Sequence, residues 1–166
     1  PQRPNLTRVD DIDESLTKRA RSYLHANCAH CHHQGGGGAT VFDLSYHLPL
    51  KRTKLLGLPP SQGDFDLENA RVVAPGDPYR SVLLYRMAKQ GNGRMPHLGS
   101  RRIDTAGLKL IHDWIANMPL DETGRSPERL GQVSTQQKQI HSFGLAKGDE
   151  KKGYLAKLLA KPSGAL

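Results

Sequence analysis

The sequence predicts an all-α protein. Two observations carry that expectation. Three stretches place their apolar residues at helical spacing, and the only piece that reads as extended is the short "RVV" at 71–73. The 17 glycines and 11 prolines divide these stretches by loops.

Taken in chain order, residues 1–13 form a polar, proline-containing lead-in. A first helix is expected from Asp13 to Ala26. Leu16, Ala20, Tyr23 and Leu24 make one apolar stripe, Lys18, Arg19 and Arg21 face out, and Asp13 or Ser15 caps it. "QGGGG", Gln34 to Gly38, reads as a flexible turn, or as backbone kept bare so that it can pass close to a flat ligand. Residues 39–75 read as irregular, with turns at "GLPP" and "SQGD". In "PGDPYRSVLLYRMAKQG" a second helix is expected, with Asp77 as cap, Pro78 at the first helical position, Leu83, Leu84 and Met87 on its apolar face, and Gly91 as its end. A loop, "NGRMPHLGS", carries Met95. A third helix then runs from a cap at Asp104 or Thr105 to Asn117, burying Leu108, Ile111, Trp114 and Ile115, with Met118 and Pro119 closing it. Residues 121–166 change character, being rich in Gln, Lys, Ser and Gly. Their "KKGYLAKLLAK" reads as a short basic amphipathic helix that packs back on the domain or meets a membrane surface or partner. The expected organisation is a lead-in at 1–13, one domain at 14–120, and a basic linker or tail at 121–166.

Composition narrows the function classes. The 166 residues suit one domain with an appendage. Only 36% are hydrophobic and 5% aromatic, a thin supply for a core of this size, so a metal or buried cofactor is expected to contribute to stability. Two cysteines exclude a disulfide framework. No run of about 18 apolar residues spans a membrane. No signal peptide is visible, and a chain running from Pro1 to "KPSGAL" reads as processed or excised from a longer protein. The formal net charge of +8 either solvates the surface or favours docking on an acidic partner. Nucleic acid is not expected, because the basic residues are scattered and no aromatic–basic alternation marks a base-stacking groove.

The stretch that carries chemistry is "NCAHCHH" at 27–33, which holds both cysteines of the chain. C-x-x-C-H is the attachment motif of c-type haem. Two thioethers must reach the two vinyl groups on one edge of the porphyrin, and the histidine must rise beneath the iron. Cys28 and Cys31 suit the first task and His32 the second. Three other chemistries use such residues. A thioredoxin-like redox pair wants a strand before the motif and a helix after it, whereas here a helix precedes and glycines follow. A zinc site needs two further ligands, to be drawn from His30, His32, His33, His47 or His97. A structural disulfide across so short a loop is strained and adds little. Haem is the reading that the spacing favours.

A low-spin electron-transfer haem also needs a sixth ligand, and methionine sulfur opposite histidine raises the potential. Of the three methionines, Met87 reads as core and Met118 as packing. Met95 sits in a glycine-flanked loop before Pro96, which stiffens a turn able to bring sulfur across the haem face. Met95 is therefore the expected distal ligand, with His97 its competitor.

With these residues in view, the segment from about 14 to 120 resembles a class I c-type cytochrome domain. "RARSYLHANCAHCH", "APGDPYRSVLLYRM" and "RMPHLG" together resemble the cytochrome modules of multidomain extracytoplasmic bacterial proteins. The resemblance implies an all-helical, class I cytochrome c-like fold around one covalently bound haem c, with first and last helices crossing so that Ala20 and Tyr23 meet Ile111 and Trp114. It implies a periplasmic or otherwise extracytoplasmic location and a redox partner or fused dehydrogenase-like domain. The chain departs from the family at one point that bears on the iron. Small relatives carry a proline about a dozen residues after the motif, whose carbonyl steadies the proximal histidine. No proline occurs between His33 and Leu48, so some other backbone carbonyl is expected to hold the second ring nitrogen of His32.

The expected function is electron transfer by a His/Met-ligated haem, without catalytic activity of its own. The alternative is a haem domain whose weak or open sixth site binds a gas or supports catalysis, with His97 as a distal donor. Leu44, Val72, Leu83, Leu84, Leu98, Leu108 and Ile111 are candidates to line the haem. Arg80, Arg86 and Arg94 are candidates to meet its propionates. Residues 39–75 are longer than a compact member needs and are expected to wall the haem edge or cover the propionates.

Overall fold

The computed structural model describes residues 5–98 and 102–119. By its contacts the chain divides after Asp121, and everything described belongs to the first unit. The tail at 121–166, with its expected amphipathic helix, lies outside the described residues.

Among the described residues there are three α-helices, α1 (Leu16–Cys28), α2 (Val82–Ala88) and α3 (Thr105–Ala116), two short 3₁₀ turns at Leu50–Thr53 and Pro78–Arg80, and no strand. The fold class is all-α. None of these helices is long and apolar enough to cross a membrane.

α1 begins later than its apolar pattern suggests, because Ser15 rather than Asp13 caps it, its hydroxyl accepting the Lys18 N–H at 3.2 Å. It also ends later, carrying Cys28 in its last turn. Ala20, Tyr23 and Leu24 are buried as expected. Arg21 is not on the outer face: it is 6% exposed, and its Nη2 donates to the carbonyls of Ser45 and Leu48, each at 2.9 Å. Burial lowers its pKa. A guanidinium is tolerated inside only when its donors are used, and the loop at 45–48 supplies the acceptors.

The second helical stretch is broken. Pro78–Arg80 is a 3₁₀ turn capped by Asp77, and α2 starts only at Val82, after an extended Ser81 (φ −92°, ψ 103°). The cause is tertiary. Arg71 N–H donates to Arg80 O at 2.9 Å and Val82 N–H to Arg71 O at 2.8 Å, so the chain at 80–82 pairs with the "RVV" piece instead of continuing a helix. Ser81 Oγ secures the break, accepting the Ala74 N–H and donating to Asp77 O, both at 2.9 Å.

α3 follows its predicted limits, with Asp104 accepting the Gly107 N–H at 3.0 Å. It packs on α1. At Gly107 a Cβ would stand 2.3 Å from the Tyr23 ring, so the absent side chain is what lets the tyrosine lie against α3. Ala20, Leu24, Ile111, Trp114 and Ile115 form the centre of the core. The long 39–75 connection feeds this core through Leu44, Leu55, Val72 and Val73, which offsets the chain's low apolar content.

Candidate functional site

The last turn of α1 does not stop at the first cysteine. Cys28 O accepts the N–H of His32 at 2.9 Å and that of Cys31 at 3.2 Å, so the backbone winds once more around the helix end. The backbone of Cys28, Cys31 and His32 thereby shares one turn. Both cysteines are unjoined and half-buried. Burial first, and then the charge of Cys31, pushes the Cys28 thiol up to about 11. A redox-active pair needs a depressed thiol pKa, so Cys28 lacks the character of a thioredoxin-like nucleophile. Among the described residues no three of His, Cys, Asp and Glu converge as a metal-binding group, so a closed zinc centre has no donor set there.

His32 is held on several sides. Its Nδ1 lies 3.2 Å from Thr40 Oγ1, and that hydroxyl is 3.4 Å from Phe42 O. Its ring stacks on Phe42 with centroids 5.2 Å apart and planes 19° from parallel. Its carbonyl accepts the Leu44 N–H at 2.8 Å. The expected carbonyl partner is thus replaced by a side-chain hydroxyl. The chain of contacts suits one tautomer. With the Thr40 hydroxyl donating to Phe42 O, its oxygen is placed to accept from His32 Nδ1–H, the tautomer that leaves the Nε2 lone pair available. No hydrogen-bond partner of Nε2 is found among the described residues. Burial lowers the pKa of His32, and the charges of His30, Arg86 and His97 act in the same direction. The imidazole is kept neutral, the form that ligates a metal.

The glycine run packs against this histidine. A Cβ on Gly38 would stand 2.7 Å from both Cys31 O and His32 Nδ1, and one on Gly36 would stand 2.4 Å from Cys31 O, whereas Gly37 has open space. The flat group that the bare backbone passes is the imidazole itself. Asp43 secures the return of the loop: its carboxylate accepts from Gln34 N–H at 3.1 Å and from Ser45 N–H at 2.8 Å. Burial would raise its pKa, but these bonds outweigh that and hold it below the ordinary carboxylate value. Nothing in the sequence pattern marked Thr40, Phe42 or Asp43.

Met95 comes from the far side, on the loop after α2. Its N–H donates to Arg86 O at 3.0 Å, and its bond to Pro96 is cis. It lines a cavity with Met87 and Pro96 from its own side and with Tyr23 and Asn27 of α1, Arg94 and Asp104 completing the wall. Asn27 precedes Cys28, so the cavity touches the last turns of α1, but Cys28, Cys31 and His32 are not among its lining residues. His97 is exposed.

The residues proposed to line the haem or meet its propionates differ in their surroundings. Leu98 is 80% exposed and contributes nothing to the core. Leu44, Val72, Leu84 and Ile111 are buried in one cluster, and Leu83 and Leu108 pack against it. Arg80 is 2% exposed and serves the fold, donating to Asp77 Oδ2 at 3.1 Å and to Asn69 O at 3.2 Å. Arg86 lies over the Phe65 ring and donates to Gly93 O at 2.8 Å. Of the three arginines, Arg94 borders the cavity.

No family model, curated protein or solved structure matches the chain.

Proposed function

We propose that the chain is an electron-transfer domain that carries one c-type haem, attached through Cys28 and Cys31 and ligated by His32 and Met95, and that it serves as one module of a larger redox protein. The observation that carries this reading is the setting of His32: its Nδ1 faces Thr40, its ring stacks on Phe42, and the two unjoined cysteines stand one and four residues before it. The residues present fit the group. A neutral histidine, two free thiols on one turn, and a methionine on a cavity against the same helix end are the donor set that a covalent, six-coordinate haem uses.

When bound, haem supplies reversible one-electron chemistry at its iron. The chain's own residues do the rest. Cys28 and Cys31 would hold the group by thioethers. Thr40 and Phe42 set the tautomer and tilt of the imidazole. Met95 offers a neutral, soft sulfur that favours the reduced state. No residue here is assigned a bond-making role toward a substrate. A class I cytochrome c-like arrangement, an extracytoplasmic setting, and an acidic redox partner or fused dehydrogenase-like domain belong to the same proposal. The charge of +8 supports the partner's sign.

The test is production in a bacterial periplasm competent for haem attachment, followed by denaturing electrophoresis with a haem stain. The stain is expected to stay on the polypeptide and to be lost in the Cys28→Ala/Cys31→Ala double variant. Haem that passes wholly into acid–acetone contradicts the reading.

A further inference from the structure

The long 39–75 connection contains two consecutive non-glycine residues in the left-handed region, Phe65 at φ 58° and Asp66 at φ 57°. That conformation is unfavourable for residues with a side chain, and for an aromatic residue especially so. Asp64 Oδ1 accepts the Asp66 N–H at 3.1 Å and supports the turn. The result is to aim the Phe65 ring at the segment that leads to Met95.

Three contacts meet there. The Phe65 ring lies 4.8 Å from the Tyr85 ring, with the Arg86 guanidinium carbon 4.6 Å from its centroid. Gly93 presses on its edge, for a Cβ at that position would stand 3.1 Å from the ring. Arg86, sandwiched by this ring, reaches the loop twice: Nη1 donates to Gly93 O at 2.8 Å, and its own carbonyl accepts the Met95 N–H at 3.0 Å. Its Nη2 donates to Gln62 O, which ties the Phe65 turn to the same guanidinium.

We propose that Phe65 and Arg86 act as a clamp that sets the position of Met95, and so decide whether its sulfur occupies the sixth site. They are positioning residues, and their role rests on the haem reading above. The physical ground is preorganisation. A thioether is a neutral donor on a flexible side chain, and its apparent affinity falls with the fraction of time the loop spends in the competent position. A ring on Gly93 and a fork between Gly93 O and Gln62 O remove much of that freedom in advance. If the clamp loosens, the sixth position opens to a small exogenous ligand such as carbon monoxide. The rare backbone at Phe65 is thereby given a use: it brings an aromatic ring against Gly93.

The experiment uses the full chain with haem attached. Phe65→Ala is expected to lose most of the sulfur–iron charge-transfer band of the ferric protein, and its ferrous form to bind carbon monoxide at least tenfold more readily than wild type. The Met95 amide is expected to exchange its hydrogen at least tenfold faster, while amides of α1 and α3 keep their rates. Phe65→Tyr, which keeps the ring, is expected to behave as wild type. Arg86→Lys keeps the charge but cannot grip both carbonyls, and it should move all three readouts in the same direction; it decides the matter if Phe65→Ala fails to fold. The clamp is overturned if band, carbon monoxide binding and Met95 exchange are unchanged in both variants, or if exchange in α1 and α3 accelerates as much as at Met95. If the wild-type ferric protein lacks the band altogether, ligation by Met95 fails, and the clamp stands or falls on the exchange of the Met95 amide alone.

Discussion

Thr40 Oγ1 stands 3.2 Å from Nδ1 of His32 and is the ring's hydrogen-bond partner, eight residues along a loop in which neither a proline nor a nearby carbonyl takes that place. A partner at this nitrogen makes the opposite nitrogen a stronger donor, which favours ferric iron. Thr40→Val keeps the shape and removes the acceptor. Its reduction potential is expected to be more positive than that of wild type, and Thr40→Ser is expected to restore it. Equilibrium redox titration measures both.

Two neighbouring glycines differ in what they touch. Gly38→Ala puts a methyl 2.7 Å from His32 Nδ1 and from Cys31 O, whereas Gly37→Ala meets nothing within 4 Å. Overpacking of this kind costs about 1–3 kcal/mol. Removing a glycine's freedom at an unobstructed position stabilises by about 0.4–1 kcal/mol. Gly38→Ala should therefore melt lower and carry less haem per chain, and Gly37→Ala should do neither. Thermal unfolding and the haem-to-protein ratio read the contrast.

Gly107 tests the helix crossing. Alanine in place of a glycine in the first helical turn gains at most about 1 kcal/mol in propensity. Here its Cβ would stand 2.3 Å from Tyr23, so α1 and α3 must part or the ring must turn. The steric term, about 1–3 kcal/mol, is expected to win. Denaturant unfolding of Gly107→Ala should show a lower midpoint, and Gly107→Ala/Tyr23→Leu should recover part of the loss.

Asp43 predicts a pH dependence. Its pKa in the fold lies below the ordinary 3.8, so folding favours the ionised form. The stability it contributes is complete above pH 3.8 and is lost as the pH falls through its lower folded value. Protonation weakens its bonds to the Gln34 and Ser45 amides, which close the loop around His32. Asp43→Asn, whose single amide oxygen cannot accept from both amides, is expected to lower the neutral plateau of a stability-against-pH curve and to flatten its acid limb, because the stability that wild type loses on acidification is already gone.

Much of the scaffold was legible because it is local. α3 and the buried stripe of α1 follow from spacing and caps, and Cys28, Cys31 and His32 follow from a motif whose chemistry is set within five residues. What was not legible depends on partners distant in sequence. The break at Ser81 exists because Arg71 pairs with the chain there, and Arg21 is buried because the carbonyls at 45–48 meet it. Thr40 serves His32 only after the glycine run has turned back, and no residue type announces that turn. Phe65 was hidden for a further reason: a left-handed backbone at an aromatic residue runs against its own preference, so no sequence rule points to it.

The central claim, a haem ligated by His32 and Met95, is met most directly by the ferric and ferrous spectra of wild type, Met95→Ala and His97→Ala. The account predicts that wild type shows a sulfur–iron charge-transfer band and does not bind carbon monoxide readily. It predicts that Met95→Ala loses the band, opens to carbon monoxide and falls in potential, and that His97→Ala matches wild type. A six-coordinate low-spin spectrum that survives Met95→Ala and is disturbed by His97→Ala would contradict it.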